Sequence, residues 1–272
     1  SCFANMLGLS ISSAFRSAKV IYIIIPLLII PQIIFGGAIV RFDRFNPLLT
    51  EVDRVPWIGN IMASRWGFES LAVSLSRENR ADAPFIEIED RLERSAWRRD
   101  YWGKAYEGLP ISGKRQLEHT TALAELRGWG IGIEEDATSS KVMGAFMDVY
   151  KQSFRERDLL RRKLSETMDL EAMKDTYHND ALHSWVMQTD RKGRILNTTR
   201  GLVQETAFIH QMPGTKQAWN APFYSPYKRV GSWIVKTQQF NAAVLWTMIF
   251  LLFGLLANRI PEKMGYRRSK SN

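Results

Sequence analysis

Four short patterns in this chain have residue types that could do chemistry. GLPISGKR, Gly108 to Arg115, comes within one residue of the glycine-rich loop that cradles phosphates. The place where that loop offers a Ser or Thr hydroxyl to Mg²⁺ is held by Arg115, and no apolar strand precedes it, so it reads as a break before a helix. In HNDALH, His178 and His183 stand five apart, whereas a zinc-binding pair on one helix face stands four apart; the two are expected on different faces, in solvent. Glu134-Glu135-Asp136 precedes a helical run and complements its N-terminal dipole, and Asn197-Thr198-Thr199 fits a glycosylation acceptor. No nucleophile, base or metal constellation remains. The residues therefore predict no catalytic group, no metal ligand and no cofactor in this chain.

Polar backbone at membrane depth is a second kind of chemistry, and Pro31, Gln32, Gly36 and Gly37 could supply it as gate or path residues. They lie in Val20 to Val40, a run of 21 residues without a charged side chain, long enough to cross a bilayer. Its nine Ile, two Leu and Phe35 favour insertion by roughly 4–7 kcal/mol together. Pro26 and Pro31 are expected to interrupt helical bonding twice and Gly36-Gly37 to stop it, leaving carbonyls that only neighbouring helices or water can satisfy. Gln32 reads either as glue between helices or as part of a polar path.

The formal net charge is +9, but its distribution argues against nucleic acid. Arg259, Lys263, Arg267, Arg268 and Lys270 crowd the tail against Glu262 alone, and Arg16 and Lys19 bracket the turn before the Ile-rich run. Basic residues beside spans mark the cytoplasmic side, which places residues 41–239 outside an inner (plasma) membrane. Between the spans, thirty basic and twenty-seven acidic side chains are interspersed without a basic stripe. Cys2 is the only cysteine, so no intrachain disulfide is possible. The chain opens with Ser inside an apolar segment and lacks a charged leader, as expected of a piece that begins within an earlier helix of a longer polypeptide.

The fold class predicted is an all-α membrane protein, with transmembrane helices flanking a mainly helical extracytoplasmic domain. Residues 1–40 supply the end of one helix, a turn and a complete span. Residues 41–76 carry a start signal at Asp53 and Pro56 and then Trp57, Trp66 and Phe68; they read as re-entrant or interfacial helices, or as an amphipathic core helix. Residues 77–239 form the outer domain. Its strongest helix runs from Ser139 or Ser140 to about Lys174, with Ser139 as cap and Val142, Phe146, Val149, Leu160, Leu164 and Met168 at helical spacing. Strand-like alternation is confined to about Arg194 to Val203. Residues 240–258 are the last span and 259–272 a cytoplasmic tail.

This order of elements resembles the C-terminal part of the permease domain of type-2 ABC transporters, closest to the G subfamily. The resemblance is carried by the small-residue first segment, IFGGAIVRFDRF and SRWGFESLAV; Trp66, Gly67, Phe68 and Glu69 stand where that family has an aromatic-Gly-Phe-Glu pattern. It covers about residues 1–74 and, more loosely, 221–272, and the external segment is about 150 residues longer than the family's. What the resemblance implies is half of an exporter: a permease that pairs with a second half as a homodimer and couples to an ATP-binding cassette domain, upstream in the same polypeptide or on a separate subunit. ATP and Mg²⁺ would sit on that ATPase domain. Arg16 and Lys19 would form the coupling turn, and Pro31, Gln32, Gly36 and Gly37 the gate. The competing reading is a membrane-anchored extracytoplasmic sensor or binding protein without transport.

Overall fold

The computed structural model describes residues 1–15, 17–40, 42, 55–107, 113–188, 195–198, 201–204, 207–212 and 218–258. The described chain is mostly helical and divides into two compact units: residues 1–71, 213–223 and 227–272, and residues 72–212 with 224–226. Two antiparallel hairpins correct the expectation of an all-α fold.

The first unit opens with α1 (Cys2–Ala14) and α2 (Ala18–Ile34). The helix predicted over Val20 to Val40 is observed as the 17 residues of α2, ending at Ile34. Pro26 and Pro31 lie inside one continuous helix, so the expected double interruption is absent; each proline removes a single N–H, which the flanking turns tolerate. The predicted stop is present: Phe35 N–H closes on Pro31 O at 2.9 Å, and Gly37 then adopts φ +78°, open only to glycine without strain.

The next segment forms two helices, α3 (Trp57–Ile61) and α4 (Ala63–Arg77), split by Met62 in an extended conformation. Trp66 Nε1–H bridges the split by donating to Asn60 O at 2.9 Å. Asp53, the expected start signal, lies outside the described residues.

A hairpin closes the unit before its last helix, α11 (Thr237–Ala257), which packs against α1 and runs from 237 to 257 rather than 240 to 258. Thr237–Ala257 is the one described helix long and apolar enough, by length and composition, to cross a membrane. The hairpin pairs β3 (Tyr227–Val230) with β4 (Trp233–Lys236), Val230 opposite Trp233. Its two-residue turn has Gly231 at φ +62° and Ser232 at negative φ, the arrangement of a type II′ turn. Four-residue strands beside Pro226 give too short an alternation for this hairpin to be legible in the sequence.

In the second unit, α5 (Ile86–Trp97) runs through a π-helical turn at residues 98–102 into α6 (Gly103–Tyr106). With α7 (Lys114–Gly128) and α8 (Ser139–Thr167) it encloses a core of Trp97, Trp102, Leu123, Leu126, Val142, Phe146 and Val149. The stripe predicted on α8 is buried at 142, 146 and 149, but its second half is not: Met168 is 38% exposed. The helix also ends at Thr167, short of Lys174, because Asp169 caps a new helix, α9 (Leu170–Tyr177), through the N–H groups of Glu171 and Ala172. Thr138, not Ser139, caps α8. The last helix of the unit is α10 (Asp180–Met187), and the strand expected near residues 194–203 is present as β1 (Ile195–Thr198) paired with β2 (Gly201–Gln204).

Candidate functional site

Arg65 and Glu69 lie one turn apart on α4, Lys228 is on β3 and Asn241 is in the second turn of α11; none of the four has measurable exposure. Glu69 organises them. Lys228 Nζ donates to its Oε1 at 2.9 Å, Asn241 Nδ2 to its Oε2 at 2.9 Å, and Arg65 Nη1 stands 3.5 Å from Oε2. Asn241 Nδ2 also donates to Trp66 O at 3.1 Å, so one amide fastens α11 to α4. Burial pushes the Glu69 carboxyl up, but the charges of Arg65 and Lys228 and the two donated hydrogen bonds outweigh it and hold the group below its ordinary range. Burial also lowers the Lys228 ammonium to about 8, against the pull of Glu69.

Two cations thus share one carboxylate in a buried site. Arg65 bears the imbalance: among the described residues no acceptor satisfies its Nε, Nη1 or Nη2, and its guanidinium lies over the Trp66 ring at 3.6 Å. Its third position in α4 also sets a cation at the positive end of the helix dipole, and Arg followed by Glu is the weaker i,i+4 order. A buried arrangement of this kind specifies geometry more than it adds stability.

Four predicted residues fall beside this cluster. Gln32 Oε1 accepts from Ser64 N–H at 3.1 Å, supplying an acceptor for the first turn of α4, and Ser64 Oγ–H donates to Gln32 O at 2.5 Å. Of the two readings of Gln32, this geometry is that of glue. Gly36 sits where an added Cβ would be 2.7 Å from Gln32 O and 2.9 Å from Ser64 Oγ; at Gly37 it would be 2.8 Å from the Phe223 ring. Pro31 shapes the turn through its carbonyl, which accepts from Phe35. Lys19 is exposed in the first turn of α2, away from any described partner, and Arg16 lies outside the described residues.

The second unit holds its own chemistry. Arg94 in the last turn of α5 and Arg98, which opens the π-helical turn after it, clamp Glu125 of α7; Arg98 Nε donates to Glu125 Oε2 at 2.8 Å, and its Nη1 is 3.5 Å from Glu118. Burial raises the Glu125 carboxyl, and the two guanidinium groups reverse this and bring it to about 2. A cleft of about 1130 Å³ opens between the end of α8, α9, α10 and α5. Asp90 is bonded by Arg77 at 2.7 and 2.8 Å and by His210 Nδ1 at 2.7 Å, and His178 Nδ1 meets Asp82 at 2.5 Å.

The expectation of solvated histidines is met at His183, which is exposed, and corrected at His178. His178 ends α9 and His183 belongs to α10, so the break between them brings the rings to 5.0 Å, and only 9% of the His178 side chain is exposed. Five residues separate them along the chain, but not along one helix. Among the described residues no group of His, Cys, Asp and Glu has the geometry of a metal site.

Arg115, the departure from the phosphate-loop pattern, is buried and donates to Tyr106 O and, at 3.0 Å, to Ser139 Oγ, joining the ends of α6, α7 and α8; residues 108–112 lie outside the described set. Glu134 and Glu135 form exposed pairs with Lys141 and Arg127.

Of the Arg65, Glu69, Lys228 and Asn241 cluster, sequence reasoning singled out Glu69 alone. Two of its partners are 159 and 172 positions away, and the one available signal was a charge followed by its opposite four residues on in α4. Comparison of the chain with protein-family models, curated proteins and solved structures found no match.

Proposed function

We propose that this chain forms part of the membrane-spanning domain of an ATP-driven type-2 ABC transporter, acting as half of an exporter beside a second, identical half. A cytoplasmic ATP-binding cassette domain supplies the energy, with ATP and Mg²⁺ bound there. α2 and α11 cross the inner membrane, and residues 41–239 are extracytoplasmic. The observation that carries this reading is the stitch between Gln32, Gly36 and Ser64. Seventeen residues give α2 a length of about 26 Å, short of a hydrocarbon core of about 30 Å. The turn at Gly36-Gly37 and the start of α4 then lie at membrane depth, where backbone groups must be satisfied by protein. A simple anchor has no need of a non-helical turn there. Re-entrant helices of a permease do, and Glu69 of the aromatic-Gly-Phe-Glu pattern is tied to the last span through Asn241.

The cleft in the second unit supports a second reading, a membrane-anchored extracytoplasmic binding protein without transport. Purification of the chain from membranes of its own host separates the two. Co-purification of a nucleotide-binding subunit or domain whose ATP hydrolysis is blocked by orthovanadate is expected for the permease. A chain that purifies without any ATPase, across mild detergents and nanodiscs, overturns it in favour of the binding protein.

A further inference from the structure

The β3–β4 hairpin leaves its apolar side chains uncovered. Trp233 is 76% exposed, Ile234 48% and Val230 45%; Trp219, in the short turn packed on β3, is 51% exposed. Val230 and Trp233 are paired across the hairpin and share one face, and Ile234 lies on the other, so both faces of the hairpin present an apolar group that needs an occupant. The position of the hairpin says which. β4 ends at Lys236 and α11 begins at Thr237, with no linker, so the Gly231-Ser232 tip lies within about 14–20 Å of the start of the apolar helix. Trp219 is held at the start of α11, because its ring meets Phe240 in the first turn of that helix at 5.7 Å, edge to face. Trp66 closes the group at 5.4 Å from Trp219 and 5.8 Å from Phe240.

We propose that this hairpin is a membrane-interface anchor whose tip, with Trp219, seats in the headgroup and upper acyl region of a phospholipid bilayer at the N-terminal end of α11. The inference rests on the reading that α11 crosses the bilayer. Trp is the side chain most suited to that layer, apolar in body with one N–H for water or headgroup. The root of the hairpin is fixed. Lys228 Nζ is bound to Glu69 in the buried cluster, which ties the first strand of the hairpin to α4.

The test uses the full chain with Cys2→Ser, reconstituted in phosphatidylcholine vesicles and carrying Ser232→Cys or Thr247→Cys labelled with NBD. Thr247, in the middle of α11, reports the span itself. Brominated phosphatidylcholine in the bilayer and iodide outside are the quenchers. The expected result is strong bromolipid quenching at both positions, with residue 232 quenched best by bromines near the carbonyl end of the chain and at least twofold less by iodide than a label at exposed Lys163→Cys. Adding Trp233→Ser and Ile234→Ser should shift the residue 232 emission toward that of a label in water. If residue 247 is quenched by bromolipid while residue 232 responds to iodide alone, the hairpin projects into water and the anchor is refuted with the span intact. If neither responds to bromolipid, the span reading fails and the anchor with it.

Discussion

Replacing Glu69 with Gln removes the only carboxylate, among the described residues, that faces Arg65 and Lys228. Both cations stay in place with no measurable exposure, and each loses its counter-charge, at 3.5 and 2.9 Å respectively. Breaking a buried pair from one side costs about 3–5 kcal/mol, so Glu69→Gln should lower stability by that amount. Lys228→Met leaves Glu69 its pairing with Arg65 and its hydrogen bond from Asn241 and loses one charged hydrogen bond, about 1.5–3 kcal/mol. In the double variant only Arg65 is stranded; its cost should fall short of the sum of the singles by at least about 1 kcal/mol. Trp fluorescence during chemical unfolding in detergent is the assay, since the Trp66 ring lies 3.6 Å from the Arg65 guanidinium and 5.6 Å from Lys228 Nζ. There is also a signature in pH. Lys228 holds its proton less tightly when folded, about 8 against 10.5, so the unfolded chain binds more protons in that interval and stability should rise from pH 8 to 10.5. Lys228→Met should abolish that rise. A Glu69→Gln protein within about 0.5 kcal/mol of the parent, or strictly additive singles, would refute the account of the cluster as one electrostatic unit.

Gly36→Ala places a Cβ 2.7 Å from the backbone oxygen of Gln32, which cannot rotate away, so the turn must open; in full-length protein this should lower the unfolding midpoint measurably more than Gly128→Ala, where nothing lies within 4 Å. In the second unit Glu125 has a folded pKa of about 2, below its ordinary 4.5, so the stability it contributes is present above pH 4.5 and is lost as pH falls toward 2; Glu125→Gln should flatten that limb of the near-UV circular dichroism titration. Phe146 has no exposure and sits between Trp129 and the Arg98 guanidinium, so Phe146→Ala should cost about 3–5 kcal/mol, whereas Phe154→Ala, 41% exposed, should cost less than about 1.5. Topology is testable by thiol labelling in intact cells: in a Cys2→Ser background an impermeant reagent should reach Lys163→Cys and not Ser17→Cys, and the reverse pattern would invert the membrane orientation.

What the amino-acid sequence determined by itself is local. Uncharged apolar runs announced α2 and α11, because side-chain transfer energies sum without regard to the rest of the fold. The Gly36-Gly37 stop follows from backbone sterics, and the register of Val142, Phe146 and Val149 from the helical repeat. Even here boundaries moved: Asp169 ended the long helix early by capping another, and Met62 split α3 from α4. The sites came from packing between distant segments. Arg65, Glu69, Lys228 and Asn241 form one cluster because a hairpin and the last helix return to α4 after more than 150 residues, and no periodicity spans such a distance. His178 and His183 meet for the related reason that a helix break resets the angular spacing on which their separation was predicted. Burial converts these encounters into chemistry: a charge pair worth little on a surface becomes, once water is excluded, a constraint that every neighbouring element must satisfy.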